Sequence, residues 1–188
     1  MRGKILSRLL LLGLAAWTLS GCASTVMHQV APVTLSGGTG KALVTFMRPS
    51  YFGGAIQFGI WDSENFVGVL SAGSYVQYLA EPGPHVFMAR AENWSYVKAD
   101  LEGGKQYFIL GKVFPGIWKA RVALDPVRPG DPDAAKIDQW LQELTPTAVI
   151  PEQFDAYVSP RVEQVKTALG EVDNGTTKFE TLSKTDGR

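Results

Sequence analysis

Few residues in this chain have the types and spacing that chemistry needs. His85 and His28 are the only histidines. A lone histidine serves as a general base only where a nucleophile and an orienting acid converge on it. No G-x-S-x-G elbow supplies a serine, and the single cysteine, Cys22, sits in a segment with a different purpose. In the setting Pro82-Gly83-Pro84-His85, the imidazole reads as a strand-start residue that packs or caps the turn. Asp62 with Glu64, and Asp100 with Glu102, have the residue types of a glycosidase pair. Each pair flanks an expected turn, where acids keep strand ends solvated, so both read as turn residues. Ser36-Gly37-Gly38-Thr39-Gly40-Lys41 has the look of a phosphate loop. Leu35 stands at that motif's first glycine, Ala42 replaces its Ser or Thr, and a strand pattern follows where a helix is required. A flexible linker is the better reading. One cysteine and two histidines exclude a disulfide framework and a cysteine-rich zinc site. The expectation is no enzyme, no catalytic residue, no metal and no cofactor.

The aromatic residues are better candidates. Trp61, Trp94 and Trp118 fall at or near expected strand ends, and Tyr51 and Phe52 lie in the glycine-flanked loop 49–55. A sugar or peptide can stack on such rings, because they offer contact area at small cost in entropy. Most rings in these positions fill a core. Tyr51-Phe52-Gly53-Gly54 is the best exception, being apolar, flexible and outside any expected strand.

The first residues read as an export address. Arg2, Lys4 and Arg8 precede an apolar run from Leu9 to Leu19, about 11 residues long. A membrane-spanning helix needs about 20, whereas this length suits the apolar region of a signal peptide. Leu19, Ser20 and Gly21 then precede Cys22. The segment resembles a bacterial lipoprotein signal with its lipobox. That resemblance implies cleavage before Cys22, a diacylglycerol thioether on its sulfur, and acylation of the new amino group. More than one acyl chain is what makes such an anchor stable. Ala23 follows the cysteine, not the Asp of inner-membrane retention, which points to the periplasmic face of the outer membrane.

The elements that must position these residues are short. The chain has 188 residues, 45% hydrophobic and 19% charged, with Lys+Arg and Asp+Glu at 18 each. A net charge of zero gives no support to nucleic-acid binding. Residues 22–40, rich in small and polar side chains with Pro32, Gly37, Gly38 and Gly40, read as a lipidated flexible tether. From Lys41 onward, apolar segments alternate with glycine and proline turns. They run over 42–48, 57–62, 65–70, 75–80, 85–91, 95–101, 105–113 and 117–124. This spacing predicts an antiparallel β-sandwich of seven or eight strands over 41–125. After Pro126 the period changes. Asp131-Pro132 offers an N-cap, and Ile137, Trp140, Leu141 and Leu144 mark a helical face that Pro146 ends. A second helix is expected from Ser159-Pro160, with the stripe Val158, Val162, Val165, Leu169 and Val172. The expectation over 126–172 is two helices packed on one another and on the sandwich. Residues 173–188 read as a loosely held polar tail.

One further likeness rests on the Arg48-Pro49 strand end, the Gly73-to-Tyr75 turn, Pro82-Gly83 before His85, and Gly104-Lys105 before Tyr107-Phe108. Over about residues 41–114 the chain resembles an uncharacterised family of small, prealbumin-like β-sandwich lipoprotein domains. The likeness carries no catalytic residue. Together these readings predict a membrane-anchored lipoprotein that serves envelope interaction or assembly without catalysis, with another envelope protein as partner. The alternatives are a carbohydrate or peptidoglycan binding module using Tyr51, Phe52 and a nearby Trp, and a cell-wall hydrolase assembled from distant residues.

Overall fold

Alternation along the strands decides the architecture. A computed structural model describes residues 26–35, 40–115 and 120–188. In β2 (Ala42–Arg48), Ala42, Val44 and Phe46 enter one core while Met47 joins another, so the strand is buried on both faces. β1 (Met27–Gln29), β5 (Ser74–Ala80), β8 (Gln106–Phe114), β9 (Arg121–Pro126) and β10 (Thr145–Val149) complete its sheet, in the order β1-β10-β5-β2-β8-β9. The second sheet has the order β11-β7-β6-β3-β4. Its strands are β3 (Phe58–Asp62), β4 (Asn65–Leu70), β6 (Gly83–Arg90), β7 (Trp94–Leu101) and β11 (Glu180–Leu182). The protein is mainly β, and the sheets face each other across a core that includes Phe46 and Ile109 from one and Ile60 and Phe87 from the other. Two positions in this arrangement confirm local readings. Ser63 adopts φ 52° in the two-residue turn between β3 and β4, and β2 occupies 42–48 as expected.

The topology departs from the all-antiparallel expectation. β2 runs parallel to β8, β10 to β5 and β11 to β7, so the sheets are mixed. Eleven strands form among the described residues, more than the seven or eight expected. The three additions all come from stretches read as tether, helix linker or tail. Val26 is buried, β1 pairs with β10, and Gln77 brackets the backbone of Val33 from both sides, so 26–35 is laid onto the body. The flexible tether is thus corrected over those residues; the phosphate-loop-like 36–39 lies outside the described ones. β10 carries Pro146, which the sequence presents as a helix breaker. Its carbonyl accepts the N–H of Val30, the residue opposite it in the β1 register, and the proline has no N–H to return the bond, so the β1–β10 ladder ends there. The tail is held by β11, by buried Leu182, and by two backbone bonds between Gln106 and Arg188.

The helices also sit differently from expectation. α1 (Ile137–Glu143) brings Ile137, with Leu144 just beyond it, onto Met47, Tyr75, Phe108 and Leu110, the outer side of the β2 sheet. α2 (Phe154–Val158) is followed by a 3₁₀ turn at Ser159–Arg161 and then by α3 (Val162–Asp173). Val165, Ala168 and Val172 pack on Trp61, Phe66, Met88 and Tyr96, the outer side of the other sheet. The helices therefore cover opposite faces and do not pack on one another. Each sheet has two apolar faces, so each needs its own cover. Asp131 does not cap α1 either; its carboxylate accepts the Arg128 N–H in the preceding turn.

Candidate functional site

The end of the body where β2 finishes is organised by a buried cation. Arg48 continues the inward side of β2 and is 0% exposed. Its guanidinium donates to the carbonyls of Phe52 (2.9 Å), Gly53 (2.8 Å) and Ile56, and lies 5.7 Å from the Phe58 ring centroid. The described residues give it carbonyl dipoles, not a carboxylate, and burial lowers its pKa from the arginine value. These bonds tie down loop 49–56, and Gly53 seats against Val113 at φ 62°. Tyr51 and Phe52 nevertheless remain 73% and 58% exposed. The loop is held while its two rings face solvent, which keeps them as candidate binding residues outside any strand.

A polar cluster closes the opposite end of the core. Asp62 is 4% exposed and accepts the Tyr78 hydroxyl at 3.0 Å. His85 Nδ1 lies 2.7 Å from the same carboxylate oxygen, and Nε2 lies 2.8 Å from the Glu81 carbonyl. Both ring nitrogens are thus engaged by oxygen atoms. The ring also stacks on Phe87 at 5.6 Å. Asp62 is therefore not the solvated turn residue that its position suggested; the alternation of β3 points it inward with Phe58 and Ile60. His85 packs as expected but carries an acidic partner 23 positions away that no local pattern announces. Burial first, then the charge and hydrogen bond of Asp62 and the charge of Glu81, push the Tyr78 phenol up to about 12.

The tryptophans separate from the loop. Trp61 is 2% exposed and packs on Phe66 at 5.0 Å beneath the helices, so it is largely a core residue. Trp94 is half-buried and lines a cleft of about 280 Å³ between the β3–β6 end of the sheet and helices α2 and α3. Trp118 lies outside the described residues, as do Cys22, Leu19, Ser20 and Gly21. The structure thus brings Trp61 and Trp94 to one cleft and leaves Tyr51 and Phe52 out of it.

That cleft contains residues which the sequence did not single out. Arg90 stacks over Trp94 at 5.2 Å and donates to Gln164. Arg161 lies 3.8 Å from the Tyr157 ring centroid and donates to the Tyr157 carbonyl at 2.6 Å. Gly59 makes room for the floor: a Cβ there would sit 2.9 Å from Tyr157 Oη and 3.2 Å from Trp61 Nε1. Burial raises the Tyr157 pKa, while Arg161 and Arg90 pull it down. The only sequence signal was the spacing of four between Tyr157 and Arg161, which the structure places at the end of α2 and in the 3₁₀ turn after it. On the same sheet face, Tyr96 donates to Glu171 of α3 at 3.1 Å, and burial with that bond raises its pKa. No protein-family model matches this chain, and no curated protein matches it in sequence.

Proposed function

We propose that the protein is a lipid-anchored envelope lipoprotein that binds another envelope protein through the Tyr51–Phe52 loop and performs no catalysis. The observation that carries this reading is the loop itself. A fully buried guanidinium is committed to three of its carbonyls, and the product is two large exposed rings in a fixed setting. Pre-ordered aromatic side chains lose little entropy on binding, which is why they serve as interface anchors. The His85 nitrogens are both engaged, which supports a structural role over a general base.

Anchor position gives the loop a direction. Cys22 stands four residues before buried Val26 in the sequence. Met27 pairs opposite Val149, four residues along from Thr145, whose partner is Ser74; Ser74 in turn faces Arg48. The chain therefore enters the sheet away from the Arg48 end. With diacylglycerol on Cys22, that entry side is held close to the membrane and the Tyr51–Phe52 end projects from it. Outer-membrane residence, the prealbumin-like β-sandwich likeness over about 41–114 and the covalent lipid belong to the same proposal.

A double substitution, Tyr51→Ala with Phe52→Ala, tests it. The variant should fold with an unchanged circular-dichroism spectrum and melting curve, and should lose the protein partner that the parent retains in crosslinked envelopes. Equal capture by variant and parent would overturn the reading.

A further inference from the structure

The cleft between α2–α3 and the β3–β6 sheet end has an unusual charge pattern. Two guanidiniums, Arg90 and Arg161, share it, and no Asp or Glu is among its lining residues. Among the described residues neither arginine makes an ion pair; their partners are a carboxamide, a carbonyl and two aromatic rings. The remaining residues, 1–25, 36–39 and 116–119, contain no Asp or Glu. This contrasts with Lys41, Lys105, Lys112 and Lys136, each paired with a carboxylate. The other polar groups of the cleft are also suited to an acceptor-rich guest. The Tyr157 hydroxyl and Trp61 indole nitrogen both lie beside Gly59, and the Gln164 carboxamide stands at the wall. Stacking of the guanidiniums on Trp94 and Tyr157 fixes their planes while leaving N–H edges for a ligand.

We infer that this cleft is a binding site for a small oxyanion-bearing molecule, a carboxylate or a phosphate, held between Arg90 and Arg161. A guanidinium fork matches both oxyanions, and the cleft volume, about 280 Å³, admits a guest the size of a charged sugar. The site is independent of the Tyr51–Phe52 loop, so it stands or falls separately from the interaction reading.

The experiment uses Trp61 and Trp94 as built-in reporters. Tryptophan fluorescence of the purified protein, with Cys22→Ser to keep it in solution, is titrated with inorganic phosphate, glucuronate and uncharged glucose at constant chloride. The inference requires a saturable response to phosphate or glucuronate and none to glucose. Response to phosphate alone assigns a phosphate guest; response to glucuronate assigns a carboxylate. Arg161→Gln, in the 3₁₀ turn between α2 and α3, should weaken that binding about tenfold or more, and Arg161→Lys should recover only part of it. Since Arg90 packs on Trp94, Arg90→Lys serves as the second variant, with its melting curve measured alongside. No saturable anion response above the chloride background, or unchanged affinity in Arg161→Gln, would overturn the proposal.

Discussion

Two side chains near the ends of the core carry most of the unexpected physics. Arg48 is a buried cation neutralised by dipoles, and the planar fork of its guanidinium reaches three carbonyls at once. Lysine keeps the charge but not the fork, so Arg48→Lys should lower stability by about 1–3 kcal/mol through unpaired carbonyls. Limited proteolysis should then cut within 49–56 faster than in the parent. An unchanged cleavage rate would show that the loop holds its form without the guanidinium. At the other end, Tyr78 donates to Asp62 and its phenol is pushed up to about 12. A raised phenol pKa means that this group's contribution to stability is whole below pH about 10 and is lost as pH rises through about 12. Asp62→Asn removes the carboxylate's share but not the burial, the larger cause. Ultraviolet titration should place the tyrosinate transition lower than in the parent, though still above the ordinary tyrosine value.

At the scale of elements, period-2 alternation was the readable signal. It located every strand between Ala42 and Phe114, because those segments bury at least one face and most of their connections carry Gly or Pro. The stripe on α3 was equally legible, since Val165 and Val172 do face an apolar surface. Its partner was not. Two helices separated by Pro146 and Pro151 look as though they must reverse onto each other, yet the chain between them is spent on β10 and the helices reach opposite sheets. β1 and β11, three residues each, carry too little alternation to be told from linker, and β10 carries Pro146, which reads as a breaker. Their existence depends on sheet edges built by distant sequence. Candidate residues followed the same rule: Tyr51 and Phe52 stand out locally, whereas Asp62–His85 and Arg90–Arg161 are made by the fold. Val165→Asp tests the α3 packing. Placing an unpaired charge beside Trp61 and Met88 should cost at least about 3 kcal/mol and lower the melting temperature of the whole body. Loss of helical signal with the sheet transition unmoved would mean that α3 is a separable arm.

For the whole molecule, the features assigned to function divide by position. Sheet faces are covered by helices, the core is closed by Arg48 at one end and Asp62–His85–Tyr78 at the other, and the large exposed rings Tyr51 and Phe52 extend from the Arg48 end. In the proposed lipid-anchored form, four residues of sequence separate Cys22 from buried Val26. The most direct measurement of this account is site-specific photocrosslinking in intact cells, with the probe at position 52 in one strain and at exposed Glu102, at the opposite end, in another. The account predicts a discrete protein adduct from position 52 that disappears with Cys22→Ser, when the body is no longer held at the membrane, and no such adduct from position 102. The same adduct from both positions, or from position 52 in the Cys22→Ser form, would contradict it.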